Sequence, residues 1–358
     1  MNAQEKSAKK WIKYFTIFSL LNFSLLIIVN YVVDPFNIFH THFLKYKVQE
    51  NERFVKIEYL EKNHNKFNGY LFGSSRIGTT DPKVVEQYIP NSKFYNMELS
   101  SANLYEYNLH LKYFIKKKYP INYLYLQLDL EDIQYYGQSE LDVLSKPHPY
   151  TVGDSLPLYY FQYLTGFFPI NIQEKIKDNL SHHQEVEHNL TNGIWSVPNK
   201  EREISENCEE YVQNVRNFNT KHYRVLQYGK KNQNIKAIKE IVSLCKENHI
   251  KLYLFITPHN QNMMDTFYLD DCYSYLQDIA EITEYYDFSG YNSITTNNCN
   301  YYEASHYRPL VGKLIASKIF QDKKIAVPND FGVWVTKSTI KRHIKELKKE
   351  YLKYDSTK

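Results

Sequence analysis

The sequence predicts an α/β fold built on a parallel sheet and preceded by one membrane-spanning helix. Three observations carry this: an uncharged run from Tyr14 to Val33, strand and helix patterns that alternate from residue 69 onward, and a small-residue turn, Gly73-Ser74-Ser75-Arg76, directly after the first strand. A chain of 358 residues with 43% hydrophobic content is long enough for one large α/β domain with additions. The net charge of +4 is small, and the lysines cluster only at the two ends, so no nucleic-acid footprint stands out.

Residues 1–13 form a basic tail, with Lys6, Lys9, Lys10 and Lys13 against Glu5 alone. The twenty residues 14–33 match the length needed to cross a hydrocarbon core, and the basic flank predicts a cytoplasmic N-terminus with everything after Asp34 outside. The run exceeds a usual signal-peptide core and ends in Val33-Asp34-Pro35-Phe36 without a small-x-small site, so an uncleaved anchor is expected rather than a removed leader. Residues 34–325 then read as the α/β domain and 326–358 as an extension.

Charged sequence from Phe43 to Asn68 reads as helix and leads into a strand over Tyr70–Phe72. Asp81 and Pro82 start a short helix, and Lys93–Met97 reads as the second strand. Leu104, Leu109, Leu111, Phe114 and Ile115 mark a helix over Leu104–Lys118, ended by Pro120 before a third strand, Tyr123–Asp129. From residue 135 to 230 the alternation breaks into aromatic, turn-rich sequence that reads as an insertion or lid. A helix over Asn232–Asn248, a strand over Lys251–Thr257, a helix over Asp271–Thr283, a strand over Tyr285–Phe288 and a helix over Arg308–Phe320 complete the pattern. The tail, Ser338–Tyr354, is a basic amphipathic helix, expected to pack on the domain or to lie on an anionic membrane surface.

Cys208, Cys245, Cys272 and Cys299 lack CxxC spacing, so zinc is not expected; one or two disulfides are open, without a choice of pairing. His182, His183 and His188 with Glu185 and Glu187 read as a polar loop, and no metal or other cofactor is called for.

Acyl transfer needs a hydroxyl nucleophile, an imidazole within hydrogen-bond reach at about 2.6–3.2 Å, an acceptor that fixes the imidazole tautomer, and N–H donors for an oxyanion. Ser75 at the strand-to-helix corner supplies the first, and Tyr302-Glu303-Ala304-Ser305-His306 supplies the next two: His306 as base and Glu303, three residues before it, as its acceptor. His306 follows the last strand and precedes a helix, which places it at the carboxyl edge of the sheet. Arg76 either contacts an anionic or sugar substrate or pairs with a carboxylate, and His259, in Thr257-Pro258-His259, either lines the cleft or merely ends a strand.

In this order and with these flanks, the segments resemble the SGNH/GDSL hydrolase superfamily. Phe72-Gly73-Ser74-Ser75 stands where Phe-Gly-Asp-Ser is usual, and Glu303 with His306 where Asp-x-x-His is usual. Val33-Asp34-Pro35-Phe36, Phe288-Ser289-Gly290-Tyr291-Asn292, Ser305-His306-Tyr307-Arg308-Pro309 and Asp330-Phe331-Gly332-Val333 narrow the resemblance to membrane-anchored, extracytoplasmic SGNH-like proteins of bacterial envelopes. The resemblance implies a three-layer α/β sandwich of flavodoxin-like type and a serine esterase or O-acyltransferase acting on an envelope polysaccharide or glycolipid, with a membrane-embedded acyltransferase as partner. It also implies oxyanion donors. Ser101, in Asn96-Met97-Glu98-Leu99-Ser100-Ser101, takes the glycine position of the second block, and Gln127 with Asp129 stands where the third block has Gly-x-Asn. Ser75 and Ser101 would donate through the backbone and Gln127 through its side chain, whereas an ionised Asp129 has no proton to give; Arg76, Asn96, Asp129 and His259 are the expected substrate contacts. The rival expectation, a non-catalytic envelope protein that keeps the fold to bind a glycan, draws on the missing Gly-x-Asn donor.

Overall fold

The computed structural model describes residues 3–47, 49–137, 143–168, 172–181, 185–219 and 229–356. Its chain forms two compact units, residues 1–57 with 140–184 and residues 58–139 with 185–358.

The first unit contains the helix Ala3–Val33, long and apolar enough to cross a membrane. Almost none of its apolar window is covered by protein, so its side chains suit a lipid solvent. The described residues between 34 and 51 are not helical, against the expected helix from Phe43; the helix begins only at Glu52. The Asp34 carboxylate accepts from the N–H groups of Ile38 (2.7 Å), Phe39 (3.1 Å) and Thr41 (3.1 Å), which wraps the chain into a tight loop, and the N–H groups of Gln49 and Asn51 bond back to Pro35 O (3.2 Å) and Phe36 O (2.9 Å) instead of entering a helical ladder.

The second unit is a mixed α/β structure around a mostly parallel six-stranded sheet. Its strands are β1 (Gly69–Gly73), β2 (Phe94–Glu98), β3 (Tyr123–Leu128), β6 (Lys251–Ile256), β7 (Tyr285–Asp287) and β8 (Val333–Val335), while β4 (Glu187–Asn189) and β5 (Ile194–Ser196) make a separate hairpin. The order across the sheet is β2-β1-β3-β6-β7-β8, parallel except for β8. β1, β2 and β3 are buried almost throughout and β6 over its second half, which is why they read as continuous apolar runs.

Alternation along β1 feeds both faces. Tyr70 and Phe72 pack on Phe114 of the helix Leu104–Lys116, whereas Leu71 joins Tyr125, Phe255, Val311 and Ile315, the last two from the helix Pro309–Ile319. The chain leaves β1 toward β2 on one side and returns to β3 on the other, so the connections diverge at the carboxyl ends of β1 and β3. Crevices form at such points in open α/β sheets.

The tail helix Ile340–Asp355 packs on the domain: Ile340, His343 and Leu347 are buried, and His343 Nε2 meets Asp287 Oδ2 at 2.7 Å. The insertion is not one continuous element, since residues 143–181 fall in the first unit and 185–219 in the second. Cys208 and Cys299 form a disulfide; Cys245 and Cys272 are free and buried.

The disulfide closes a loop with a sequence separation of 91. Chain entropy puts its contribution at roughly 4–5 kcal/mol. Urea unfolding of the oxidised full chain against the Cys208→Ser/Cys299→Ser double variant should show a loss of that order.

Candidate active site

Gly73 ends β1 where a Cβ would lie 2.9 Å from both Gln127 Cβ and Ile77 Cγ2, so only glycine lets the chain turn this closely past β3. The next two serines are not equivalent: Ser74 is buried, while Ser75, at the first position of the short 3₁₀ helix Ser75–Thr79, is partly exposed. Ser75 Oγ lies 2.8 Å from His306 Nε2 across 231 residues of sequence.

The loop carrying His306 is folded around Glu303. That carboxylate meets His306 Nδ1 through Oε1 and accepts from the backbone N–H groups of His306 and Ser305, both at 2.9 Å. Burial works to raise the Glu303 carboxyl, but these hydrogen bonds, led by the imidazole, outweigh it and hold the group below the usual carboxylate range. An ionised Glu303 fixes the proton on Nδ1 and leaves Nε2 to accept from the serine hydroxyl. Tyr302 N–H bonds back to His306 O at 2.9 Å and closes the loop.

The corner and the loop are joined by Arg76, which is buried rather than open to a ligand. Its guanidinium donates to Ser305 O (3.1 Å) and Ser305 Oγ (2.9 Å), pairs with Asp129 Oδ1 at 3.2 Å, and contacts Glu131 Oε1. Burial opposes the charge on Arg76, yet Glu131 and Asp129 more than compensate and raise its pKa. Burial likewise opposes an ionised Asp129, and Arg76 reverses the balance, so that carboxyl lies below its ordinary value. Burial wins at Glu131, which is raised, and at Asp132, raised further with Asp129 close by.

Several expected substrate contacts are therefore corrected. Asn96 is fully buried; its amide donates to Ile77 O (2.9 Å) and Thr80 O (3.0 Å), holding the 3₁₀ helix after Ser75. Asp129 is spent on Arg76, and Arg76 takes the pairing role. His259 has no exposed surface; its Nε2 accepts from Leu130 N–H at 3.4 Å, and burial, aided by Arg76, pushes its pKa down to about 3. Gln127 is also fully buried, and its amide donates to Asp129 Oδ1 at 3.1 Å, so this side chain is not presented as an oxyanion donor.

The backbone donors fare differently. Leu99 N–H bonds Gly73 O at 3.2 Å, which sets the turn after β2 beside the corner that carries Ser75. Within that turn Ser101 has φ +55°, the left-handed region that glycine adopts most easily, and it is exposed. Among the described residues neither Ser75 N–H nor Ser101 N–H has a hydrogen-bond partner.

Sequence reasoning misses the brace around this site. Trp195 of β5 donates through Nε1 to Ser75 O at 3.0 Å and sets its ring edge-on to His306, with centroids 5.4 Å apart. The indole fits because residue 78 is glycine: a Cβ there would sit 2.1 Å from Trp195 Nε1. Glu201 accepts from Arg308 Nε (3.1 Å) and Tyr302 OH (2.8 Å), and Tyr211 OH donates to Tyr302 O at 2.7 Å. Only the richness of the insertion in Trp and Tyr hints at this. His182 and His183 lie outside the described residues, and among the described residues no group of three or more His, Cys, Asp or Glu is placed to hold a metal ion.

No protein-family model matches the chain, and comparison with curated proteins yields no match.

Arg76→Ala should cost roughly 3–5 kcal/mol, because it strands buried carboxylates, and Arg76→Lys should recover only part, because one ammonium does not reach all four acceptors; thermal or urea unfolding reads both. His259 supplies a pH test. Unfolded, it binds a proton below about 6.5, and folded only below about 3, so stability falls with acidification between those values by up to ~1.4 kcal/mol per pH unit. His259→Gln, neutral throughout, should show a shallower slope over that window.

Proposed function

We propose that this protein is a membrane-anchored, extracytoplasmic serine esterase or O-acyltransferase of SGNH type, acting on an envelope polysaccharide or glycolipid. The observation that carries the reading is the relay from Ser75 Oγ to His306 Nε2 at 2.8 Å and from His306 Nδ1 to Glu303, beside unpartnered N–H groups on Ser75 and Ser101. The sheet order fits the 2-1-3-4-5 arrangement of a flavodoxin-like three-layer sandwich, with β8 added at the edge.

In this reading Ser75 Oγ attacks the ester carbonyl while His306 Nε2 takes its proton. Glu303 accepts from Nδ1 and stabilises the imidazolium. The tetrahedral oxyanion is held by the Ser75 and Ser101 N–H groups. Its collapse breaks the ester bond, and His306 returns the proton to the departing alcohol. Water or a sugar hydroxyl then attacks the acyl-Ser75 while His306 takes its proton; the bond to Ser75 Oγ breaks, His306 hands the proton to that oxygen, and an acid or a new ester is released. A polar corner suits a glycan better than a lipid chain: Glu131, Glu303 and Ser305, all partly exposed, flank Ser75 and His306.

The N-terminal helix supports the anchor, and the Cys208–Cys299 disulfide fits an oxidising compartment. A membrane-embedded acyltransferase as donor partner belongs to the same proposal and rests on resemblance. The rival reading, a glycan-binding protein without turnover, gains from the burial of Gln127, which leaves only backbone donors for an oxyanion.

Hydrolysis of 4-nitrophenyl acetate separates the two. Ser75→Ala and His306→Ala should abolish it, and Glu303→Gln should lower the rate by about 10⁴ through loss of the correct tautomer. Equal rates in wild type and Ser75→Ala, with the fold intact by circular dichroism, would favour the binding protein.

A further inference from the structure

The part of the insertion that belongs to the first unit carries a different message from the site. Ser155 to Phe168 contains no Asp, Glu, Lys, Arg or His, and Leu156–Thr165 is a helix whose first turn is capped by Ser155 Oγ, which accepts from Leu158 N–H at 3.4 Å. One face is occupied. Tyr159 and Tyr163 are buried, with their phenol oxygens accepting from Asn51 Nδ2 at 3.2 and 2.9 Å, and Tyr159 stacks on Phe54. The other face holds Leu158, 56% exposed, and Phe161, 53% exposed; Phe167, just beyond the helix, is 87% exposed. An uncharged stretch of this length is too short to cross a bilayer, which needs about 20 residues. It is either a buried core helix or an interfacial one, and these exposures exclude the buried core.

What covers the bare face follows from how the helix is attached. It packs against the N-terminal helix Ala3–Val33. Asn30, in the last turn of that helix, is itself buried and donates through Nδ2 to the carbonyls of Leu164 and Gly166, both at 2.8 Å. Those are acceptors at the carboxyl end of the short helix, which hydrocarbon cannot satisfy and which a polar residue in an otherwise apolar span meets directly. A chain of ring contacts continues outward, from Tyr31 to Phe39 at 5.5 Å and from Phe39 to Tyr160 at 5.6 Å. Tyrosines are favoured at the level where hydrocarbon gives way to headgroups. The short helix is thus fixed at the depth where the apolar run ends.

We propose that Leu156–Thr165 with Phe167 is an interfacial helix seated in the same bilayer that the N-terminal helix spans, with lipid against Leu158, Phe161 and Phe167. The inference rests on the N-terminal helix being in a bilayer and is independent of the chemistry at Ser75. It gives the first unit two points of attachment in place of one pivoting helix.

The full chain in nanodiscs tests this, with Leu158→Cys, Phe161→Cys and Phe167→Cys labelled singly with an NBD fluorophore. Native cysteines do not compete: Cys208 and Cys299 are bonded, and burial pushes the thiols of Cys245 and Cys272 up to about 12. The expected result is blue-shifted emission at all three positions and loss of intensity when the lipids carry brominated acyl chains, with Leu21→Cys, in mid-span, quenched as well. Water-like emission without quenching at the three positions, while Leu21→Cys is quenched, overturns the interfacial helix and gives that face to water or a protein partner. Absence of quenching at Leu21→Cys too removes the bilayer on which the inference rests, leaving the Ser75 chemistry untouched.

Discussion

One buried guanidinium holds the candidate site together. Arg76 follows Ser75 directly and reaches Asp129 and Glu131 beyond β3 as well as both oxygens of Ser305, beside His306. Three stretches distant in sequence are therefore referenced to one rigid planar group. Arginine suits this because its donors point in several fixed directions at once, whereas a lysine ammonium is a single point charge. The cost of burying the charge is offset only because two carboxylates and two neutral acceptors surround it. With Arg76 seated, the Ser75 hydroxyl and the His306 imidazole have little freedom to separate.

Around that pin the insertion acts as a brace on the imidazole loop. Trp195 fixes the Ser75 carbonyl from one side and the His306 ring from another. Cys208 ties the same insertion to Cys299, a few residues before Glu303, and Glu201 grips Arg308 just after His306. The loop that carries Glu303 and His306 is clamped at both ends by sequence that has no strand or helix pattern of the sheet. A relay of this kind needs its members within tenths of an ångström of a productive geometry, and packed supports supply that precision.

The sheet and the relay were legible in the sequence for a physical reason. Strands buried on both faces leave apolar runs such as Tyr70–Phe72, whose end fixes the place of Ser75, while Glu303 and His306 lie in the connection between β7 and the helix Pro309–Ile319. β8 left no such trace: it has three residues, pairs antiparallel at an edge, and exposes Val333 and Trp334. The stretch from Phe43 to Asn51 has enough charge to read as helix, but the amides of Gln49 and Asn51 bond back to the carbonyls of Pro35 and Phe36, pairings that no residue-type pattern announces. Asn96, Asp129, Gln127 and His259 were placed correctly at or near carboxyl ends of strands, but a sequence does not say how deep such a residue lies. All four are sealed, and what read as a substrate surface is the buried polar lattice beneath it. Trp195 was invisible because its partner is a backbone carbonyl, which leaves no residue-type signature.

The central claim is that Ser75 is an activated nucleophile. Its most direct test is to expose the full chain to a fluorophosphonate and map the modified peptide by mass spectrometry. One phosphonyl group is expected, on the peptide containing Ser75, and none when His306 is replaced by alanine. A folded wild-type chain that stays unlabelled, or that carries the label on another residue, contradicts it.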